Sequence, residues 1–154
     1  MDRRARIAAV VAVDRSPEQV FDYVADVSRH ERWSPQRFRV ADLPADGALV
    51  IGSTFTSYGQ LPGRPDHRND VRVVEIDPPH RLVLESTDGS GTYRNTFNVT
   101  PRGQGSLVTR ELDLPRPPGL LGLTLPLFLR SVLGRDLSKG LRKLAAQLRS
   151  TPRE

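Results

Sequence analysis

Two polar side chains that could orient a small molecule lie on the predicted strand 92–99. Side chains alternate across a strand, so Tyr93 and Asn95 share one face with Phe97. That face is the more apolar one, which makes it the expected inner face of a sheet. A phenol and an amide there could bind a ligand hydroxyl or carbonyl; alternatively, both could pack in a core with their polar atoms satisfied.

A positive charge accompanies them on the next predicted strand, residues 106–114. The apolar face of that strand carries Leu112 and, as its one exception, Arg110. A guanidinium that points inward is costly unless it is paired. We therefore expect Arg110 to meet a carboxylate such as Glu85, to meet an anionic ligand, or to lie at the rim of a pocket.

A leucine-rich C-terminal segment is the predicted opposite wall. Its leucines recur at steps of three or four residues, at Leu129, Leu133, Leu137, Leu141, Leu144 and Leu148. This spacing predicts a long amphipathic helix over residues 126–149, with Leu133, Leu137 and Leu141 bounding a pocket. Arg130 falls inside the leucine arc, where it could enter the pocket or extend to its edge.

Two further features adjoin this helix. Gly134 and Gly140 lie on or beside the leucine arc, which indicates open space or a close approach there, since glycine weakens a helix interior by about 1 kcal/mol. The preceding segment, residues 115–126, is apolar and repeatedly interrupted by Pro and Gly. It could cover the mouth of a pocket or simply pack under the helix.

Motifs for other chemistries are absent from the sequence. There is no Cys, which excludes disulfides, thiolate zinc sites and a cysteine nucleophile. His30, His67 and His80 lie in predicted loops and match no metal-ligand spacing, so no metal site is expected. The turn at 103–105 lacks the dinucleotide-binding pattern, and Ser90 lacks the context of a hydrolase nucleophile. We expect no cofactor, and the sequence assigns no catalytic residue.

Composition predicts a single domain over residues 1–154, located in the cytoplasm. The length suits one domain with a substantial core, and no apolar stretch approaches the ~20 residues of a membrane span. The apolar run at residues 7–13 is too short for a signal peptide and fits a first strand better.

Positive charge is concentrated at the C-terminal end. The net charge is +5, and the predicted helix carries most of the excess basic residues. These residues suit a solvated helix face; alternatively, they make a peripheral contact with an anionic membrane or an acidic partner. No nucleic-acid-binding motif accompanies the charge, so nucleic acid is not an expected partner. Either a monomer or a homodimer is compatible with the sequence.

Local signals define the elements that must position these residues. A first strand over residues 4–14 precedes a helix that starts at Pro17, behind a capping box of Ser16 and Gln19. A second short helix then ends near Trp33, which we expect to be mostly buried where the short helices meet the edge of the sheet. Short turns separate six further β-rich runs, so neighbouring strands must be antiparallel. These runs are residues 37–43, 48–58, 70–77, 81–87, 92–99 and 106–114.

Together these segments resemble the SRPBCC superfamily, which includes START-type lipid-transfer, birch-pollen-allergen-like and polyketide cyclase-like domains. The resemblance rests on residues 11–35, on residues 73–82 and on the leucine-rich end, and it spans nearly the whole chain. It implies an α+β helix-grip fold. In that fold an antiparallel sheet of about seven strands curves around a long C-terminal helix, two short helices follow the first strand, and a pocket lies between sheet and helix.

Three functions are compatible with this fold. The first is a carrier, sensor or storage protein for a small hydrophobic molecule such as a lipid, an isoprenoid or a polyketide-like aromatic. The second is an enzyme resembling the polyketide aromatase/cyclases, in which Tyr93, Asn95 and Arg110 polarise carbonyls or hold enolates. The third is a regulatory interaction module with a filled, inert cavity. No tuned acid–base pair is visible in the sequence, which favours the carrier.

Overall fold

The computed structural model describes residues 4–61, 63–115, 119 and 121–152. Seven strands and three helices account for most of them. The strands are β1 (Arg4–Val13), β2 (Phe38–Ala41), β3 (Thr54–Leu61), β4 (Arg64–Asp77), β5 (Arg81–Asp88), β6 (Gly91–Arg102) and β7 (Gly105–Pro115). The helices are α1 (Pro17–Ala25), α2 (His30–Trp33) and α3 (Leu121–Ser150), with a 3₁₀ turn over Val27–Arg29 between the first two.

All seven strands form one antiparallel sheet in the order β1-β7-β6-β5-β4-β3-β2. Strands β3 to β7 follow one another as neighbours, because the turns between them are too short for a crossover. β1 pairs instead with β7 along its whole length, from Arg4 opposite Pro115 to Val13 opposite Ser106. The first and last strands are therefore adjacent, and the predicted α+β helix-grip fold is confirmed.

The chain leaves β1 through a capped helix. Ser16 Oγ accepts a hydrogen bond from the backbone N–H of Gln19, and Gln19 Oε1 accepts one from the backbone N–H of Ser16, both at 3.3 Å. The predicted capping box is therefore present. Val24 of α1 and Trp33 of α2 are buried in the same core as the sheet.

Helix α3 lies mainly over β1 and α2. Its apolar side is buried in the core through Leu137, Leu141, Leu144 and Leu148. Its opposite side is exposed and carries Arg135, Lys139, Arg142, Lys143 and Arg149. The predicted amphipathic pattern is confirmed. No helix within the described ranges is long and apolar enough to cross a membrane.

The two faces of the sheet differ in polarity. We call the face that packs against the helices the inner face, and the opposite one the outer face. Ion pairs connect neighbouring strands on the outer face: Arg6 Nε lies 3.2 Å from Asp113 Oδ1, and Arg94 Nη2 lies 3.1 Å from Glu85 Oε2. The outer face is thus solvated and charged, whereas the inner face holds the core.

Two predicted strands have different bounds. The pattern predicts a strand at 48–58, but β3 begins only at Thr54. The preceding residues turn instead: Gly52 has φ of 90°, and Ser53 Oγ accepts a hydrogen bond from the Val50 N–H at 2.9 Å. β4 begins at Arg64 rather than at residue 70. Its first residues are polar and have no β-rich pattern of their own, and pairing with β3 holds them in the strand conformation.

The C-terminal helix is longer than predicted. It begins at Leu121, five residues before the expected start at Pro126. The segment 115–126, expected either as a cover or as core, is therefore helical from Leu121 onward. Residues 116–118 and 120 lie outside the described residues, and so do the side chains of residues 121–126 and of Leu129.

Candidate functional site

A cavity of about 180 Å³ lies between the inner face and α3. One wall is β7, and the opposite wall is α3 with Asp136 between two leucines. The connection after α2 and the end of β3 complete it. The lining residues are Ser34, Pro35, Gln36, Arg37, Phe38, Gly59, Gln60, Arg110, Leu112, Leu133, Asp136 and Leu137.

Arg110 projects from β7 onto two aromatic rings. Its Cζ lies 5.3 Å from the ring centroid of Phe97 and 5.6 Å from that of Trp33. Its Nε and Nη2 both donate to Asn95 Oδ1, at 3.2 and 3.0 Å. One amide oxygen and two ring faces therefore hold the guanidinium at the wall of the cavity.

The charge of Arg110 is not matched by a carboxylate among the described residues. The expected pairing with Glu85 is wrong, because Glu85 lies on the outer face and pairs with Arg94. Burial lowers the pKa of Arg110 to about 10, so the guanidinium stays protonated at neutral pH. A partly buried cation thus borders the cavity with no carboxylate of the described residues within ion-pair distance; Asp136 on the opposite wall accepts a hydrogen bond from Gln36 instead.

His30 packs against the two aromatic rings that contact Arg110. Its ring centroid lies 4.7 Å from that of Trp33 and 5.9 Å from that of Phe97. Its Nε2 is 2.7 Å from the carbonyl oxygen of Val24. Burial lowers the pKa of His30 to about 4, against the raising effect of the Val24 carbonyl, and the charge of Arg110 lowers it further. The imidazole is therefore neutral at pH 7, with Nε2–H donating to Val24.

The connection after α2 is tied to α3 at the cavity. Gln36 Nε2 donates to Asp136 Oδ2 at 3.2 Å, and Lys143 Nζ donates to the carbonyl oxygen of Ser34 at 2.8 Å. These bonds join the third wall of the cavity to the helix. The helix and the connection are therefore expected to move together if the cavity opens.

The two glycines of α3 occupy different surroundings. A Cβ on Gly140 would lie 3.3 Å from Pro35 Cδ and 3.5 Å from the carbonyl oxygen of Trp33. A Cβ on Gly134 would meet, among the described residues, Ile7 Cγ2 at 3.9 Å. Gly140 thus permits a close approach between α3 and the α2 corner, while Gly134 lies in ordinary packing space.

Most residues predicted to contact a ligand gather at this cavity. Four of them line it: Arg110, Leu112, Leu133 and Leu137. Asn95 and Phe97 lie directly behind Arg110 and position it. Leu141, expected as a boundary, is fully buried instead and does not line the cavity.

Two predicted ligand contacts lie elsewhere. The hydroxyl of Tyr93 is 2.5 Å from Ser90 Oγ, near the end of the β5–β6 hairpin. Arg130 is exposed on α3 and is not among the lining residues. Direct contact between a ligand and any of the eight residues remains a prediction.

One polar pair on the inner face was not predicted from the sequence. His67 Nε2 lies 2.6 Å from Asp88 Oδ2. The sequence places His67 in a loop, whereas the structure places it on β4. No local signal could have found the pair, because it depends on the register of β4 against β5.

A larger depression of about 460 Å³ lies mainly on the outer face. Apart from Phe55 and Val71, its lining is polar: Asp42, Thr54, Thr56, Asp70, Arg72, Glu85 and Thr87. Ligand sites for organic molecules are typically concave and mostly apolar with a few placed polar groups. The cavity beside Arg110 fits that description better, although it is smaller.

A family model described as polyketide cyclase / dehydrase and lipid transport matches residues 4–149. A comparison with curated proteins found no match. Among solved structures, protein CV1439 from Chromobacterium violaceum superposes with a TM-score of 0.73 at 16% identity, over 96% of this chain and 99% of that one. Protein Ms6760 from Mycobacterium smegmatis gives a TM-score of 0.70 at 15% identity, over 96% and 93%.

A third similar structure is StfQ, a di-domain ARO/CYC from the steffimycin biosynthetic pathway. It superposes with a TM-score of 0.72 at 15% identity, over 94% of this chain and 50% of that one. The present chain therefore spans about half of StfQ. At these identities the likeness shows a shared fold.

Proposed function

Because the chain belongs to the polyketide cyclase / dehydrase and lipid transport family, we propose that it binds a small hydrophobic molecule between its sheet and α3, as a carrier or sensor. The observation that carries this proposal is Arg110. Its charge borders a cavity whose walls include Leu112, Leu133 and Leu137, and no carboxylate of the described chain forms an ion pair with it.

The chemistry of the site favours a ligand with an anionic or carbonyl oxygen at one end. A buried cation without a counter-ion is unfavourable, so an oxygen with negative charge or partial charge stabilises it. The Asn95 oxygen already occupies Nε and Nη2 of Arg110. The remaining N–H groups of the guanidinium are the donors expected to bind the ligand.

The size of the cavity restricts the ligand. Drug-sized ligands occupy pockets of roughly 300–1,000 Å³, and the described walls enclose about 180 Å³. A single or fused aromatic ring or a short acyl chain fits this space, whereas a diacyl lipid requires the walls to separate. We therefore expect a compact, acidic, hydrophobic molecule.

Native mass spectrometry of freshly purified protein tests the proposal. We expect an excess mass that corresponds to a small acidic molecule, released on denaturation, in the wild type. The Arg110→Met variant is expected to lose it, and Arg94→Met, which alters an arginine on the outer face of the same sheet, is expected to retain it. A wild type that carries no ligand and takes up no aromatic acid would contradict the proposal and would favour an inert cavity.

A second candidate is an enzyme that resembles the polyketide aromatase/cyclases. The observation in its favour is again Arg110, whose free donors could stabilise a developing enolate. Losing a preorganised donor of this kind costs ~10²–10³ in rate. Wild type and Arg110→Met would be incubated with poly-β-keto and aromatic thioesters. Product distributions equal to those of a protein-free control would count against the enzyme.

A contact with anionic membranes would suit a carrier, and exposed residues of α3 support it. Leu127 is 73% exposed and Phe128 is 67% exposed, and both lie near the exposed Arg130 and Arg135 on the helix. Apolar and basic side chains together favour anionic lipid surfaces. We expect co-sedimentation with phosphatidylglycerol vesicles and not with phosphatidylcholine. Phe128→Ser should weaken it, and Val10→Ser, an exposed change on β1, should not.

A further inference from the structure

The inner face carries a second polar cluster, formed by His67 on β4 and Asp88 at the end of β5. Their side chains are 14% and 6% exposed, and His67 Nε2 lies 2.6 Å from Asp88 Oδ2. Asp88 Oδ1 accepts three more hydrogen bonds, from the N–H and the hydroxyl of Ser90 at 2.7 Å each and from the N–H of Gly91 at 3.1 Å. The carboxylate is therefore fully engaged.

These bonds determine which nitrogen of His67 is available. Burial raises the pKa of Asp88, but the hydrogen bonds from Ser90, His67 and Gly91 outweigh it and hold the pKa at about 2. An ionised carboxylate oxygen can only accept a hydrogen bond, so in the neutral form of His67 the ring hydrogen is on Nε2. Its Nδ1 is then a hydrogen-bond acceptor, and no described residue bonds to it.

The register of the strands places His67 beside the cavity. His67 lies opposite Gly59 on β3, and cross-strand partners project from the same face of a sheet. Gly59 itself lines the cavity that contains Arg110. A Cβ on Gly59 would meet no atom of the described residues within 4 Å, so there is open space beside it.

We infer that His67 is a second polar contact of the same ligand, and that its Nδ1 accepts a hydrogen bond from a ligand hydroxyl. This inference rests on the proposed function, in which Arg110 binds the acidic end. It specifies the ligand further as a compact hydrophobic molecule with an acidic group at one end and a hydroxyl at the other. Asp88 acts as a positioning residue that fixes the tautomer and the ring orientation.

Two other roles for this cluster fit the geometry less well. A serine nucleophile would need Ser90 to donate to His67, but Ser90 Oγ donates to Asp88 Oδ1. A purely structural pair does not account for Nδ1 of His67, which has no hydrogen-bond partner among the described residues. The arrangement therefore favours recognition of a donor group.

Three related acids separate this inference from the proposed function. Cinnamic acid has a carboxylate and no hydroxyl. para-Hydroxycinnamic acid adds a hydroxyl on the ring at the end opposite the carboxylate. ortho-Hydroxycinnamic acid has its hydroxyl on the ring carbon next to the chain that bears the carboxylate. Binding of cinnamic acid itself tests the proposed function. A preference for para-hydroxycinnamic acid over cinnamic acid tests the role of His67. We expect roughly a five- to tenfold preference for the para acid, the range of one neutral hydrogen bond, and none for the ortho acid.

Variants assign the preference to His67. His67→Leu should lose the preference for para-hydroxycinnamic acid over cinnamic acid. His80→Leu, a change of the same type at an exposed turn, should keep it. If the wild type binds all three acids equally, or if His67→Leu retains the preference, the inference is overturned while the proposed function stands.

Nuclear magnetic resonance of the wild type keeps the test independent of the stability of His67→Leu. In protein with ¹⁵N-labelled histidine, the para acid should shift the Nδ1 resonance of His67, and cinnamic acid should shift it much less. Equal shifts for the two acids, or none for either when both bind, would overturn the inference.

Discussion

The two polar sites on the inner face carry their charge in opposite ways. Asp88 accepts four hydrogen bonds, one of them from His67, so its carboxylate is stabilised by donors within the protein. Arg110 has one amide oxygen and two aromatic rings, and no carboxylate among the described residues. The first arrangement stabilises the fold by itself. The second leaves a cation without an ion-pair partner, and the proposed ligand would supply that partner.

Other arginines of the same sheet do have carboxylate partners, on the outer face. Arg94 on β6 lies 3.1 Å from Glu85, and Arg81 on β5 lies 3.0 Å from Glu75. Only Arg110 among these arginines faces the helix. An uncompensated buried charge lowers stability, and such costs are typical of functional sites. The comparison therefore supports the proposed ligand contact at Arg110 and a structural role for Asp88.

The largest effect is expected from Arg110→Met. We expect binding of cinnamic acid to weaken by roughly a hundredfold, because the change removes a charge and its hydrogen bonds from the acidic end of the ligand. The free energy of unfolding should change by less than about 1 kcal/mol, since an apolar side chain of similar volume replaces an unpaired buried charge. Fluorescence titration and urea denaturation measure the two effects.

The matched control for this prediction is Arg94→Met. It removes an arginine from β6 on the outer face, where the guanidinium is solvated, so neither affinity nor stability should change much. Equal losses of affinity in the two variants would mean that the contribution of Arg110 is not specific to the cavity.

Protonation of His30 should disturb the Arg110 site at low pH. Its folded pKa of about 4 is below its ordinary value of 6.5, so the unfolded chain binds the proton more tightly. Stability is therefore full above pH 6.5 and falls as the pH drops toward 4. We expect a loss of about 2 kcal/mol between pH 7 and pH 5. Denaturation of His30→Phe should show a much flatter pH dependence over this range; an unchanged slope would assign the effect to other groups.

Asp88→Asn tests the compensated site. The amide cannot accept the same set of hydrogen bonds, and we expect a loss of about 2 kcal/mol in the free energy of unfolding at neutral pH. Since the folded pKa of Asp88 is lowered to about 2, its contribution is present above pH 3.8 and is lost as the pH falls through 2. Asp70→Asn, at a 73% exposed side chain, should cost less than about 0.5 kcal/mol. Equal effects of the two changes would mean that Asp88 contributes no more to stability than an exposed carboxylate does.

The smallest effects concern the two glycines of α3. Gly134→Ala should stabilise the protein by up to about 1 kcal/mol, because alanine favours the helix and its Cβ meets only Ile7 Cγ2 at 3.9 Å among the described residues. Gly140→Ala should lose that gain, since its Cβ would lie 3.3 Å from Pro35 Cδ beside the Arg110 site. Urea denaturation midpoints measure both changes. A similar gain in stability at both positions would mean that Pro35 and its neighbours shift at little cost to accommodate the new Cβ.

The sequence predicts those features that depend on local pattern. The capping box of Ser16, the burial of Trp33 and the inward direction of Arg110 all follow from spacing within one element, and all are present. The polar start of β4 could not be predicted, because residues 64–69 become a strand only through pairing with β3.

The hydrogen-bond partners of the candidate site residues could not be predicted either, because they depend on strand register. Alternation places Asn95 and Arg110 on the same face, but only the register of β6 against β7 brings them within hydrogen-bond distance. Charge complementarity alone predicts Glu85 as the partner of Arg110 instead. His67 and Asp88 depend likewise on the register of β4 against β5, which no single segment encodes.

The pairing of β1 with β7 has a consequence for how the protein is made. β1 is synthesised first, yet its neighbour in the described sheet is β7, which begins at Gly105. At translation rates of about 5–20 residues per second, β1 leaves the ribosome roughly 5–20 s before that neighbour exists. During this interval the strand has unpaired backbone groups and apolar side chains, which invite association with other chains. Chaperone supply during synthesis is therefore expected to influence the yield of this protein more than its final stability does.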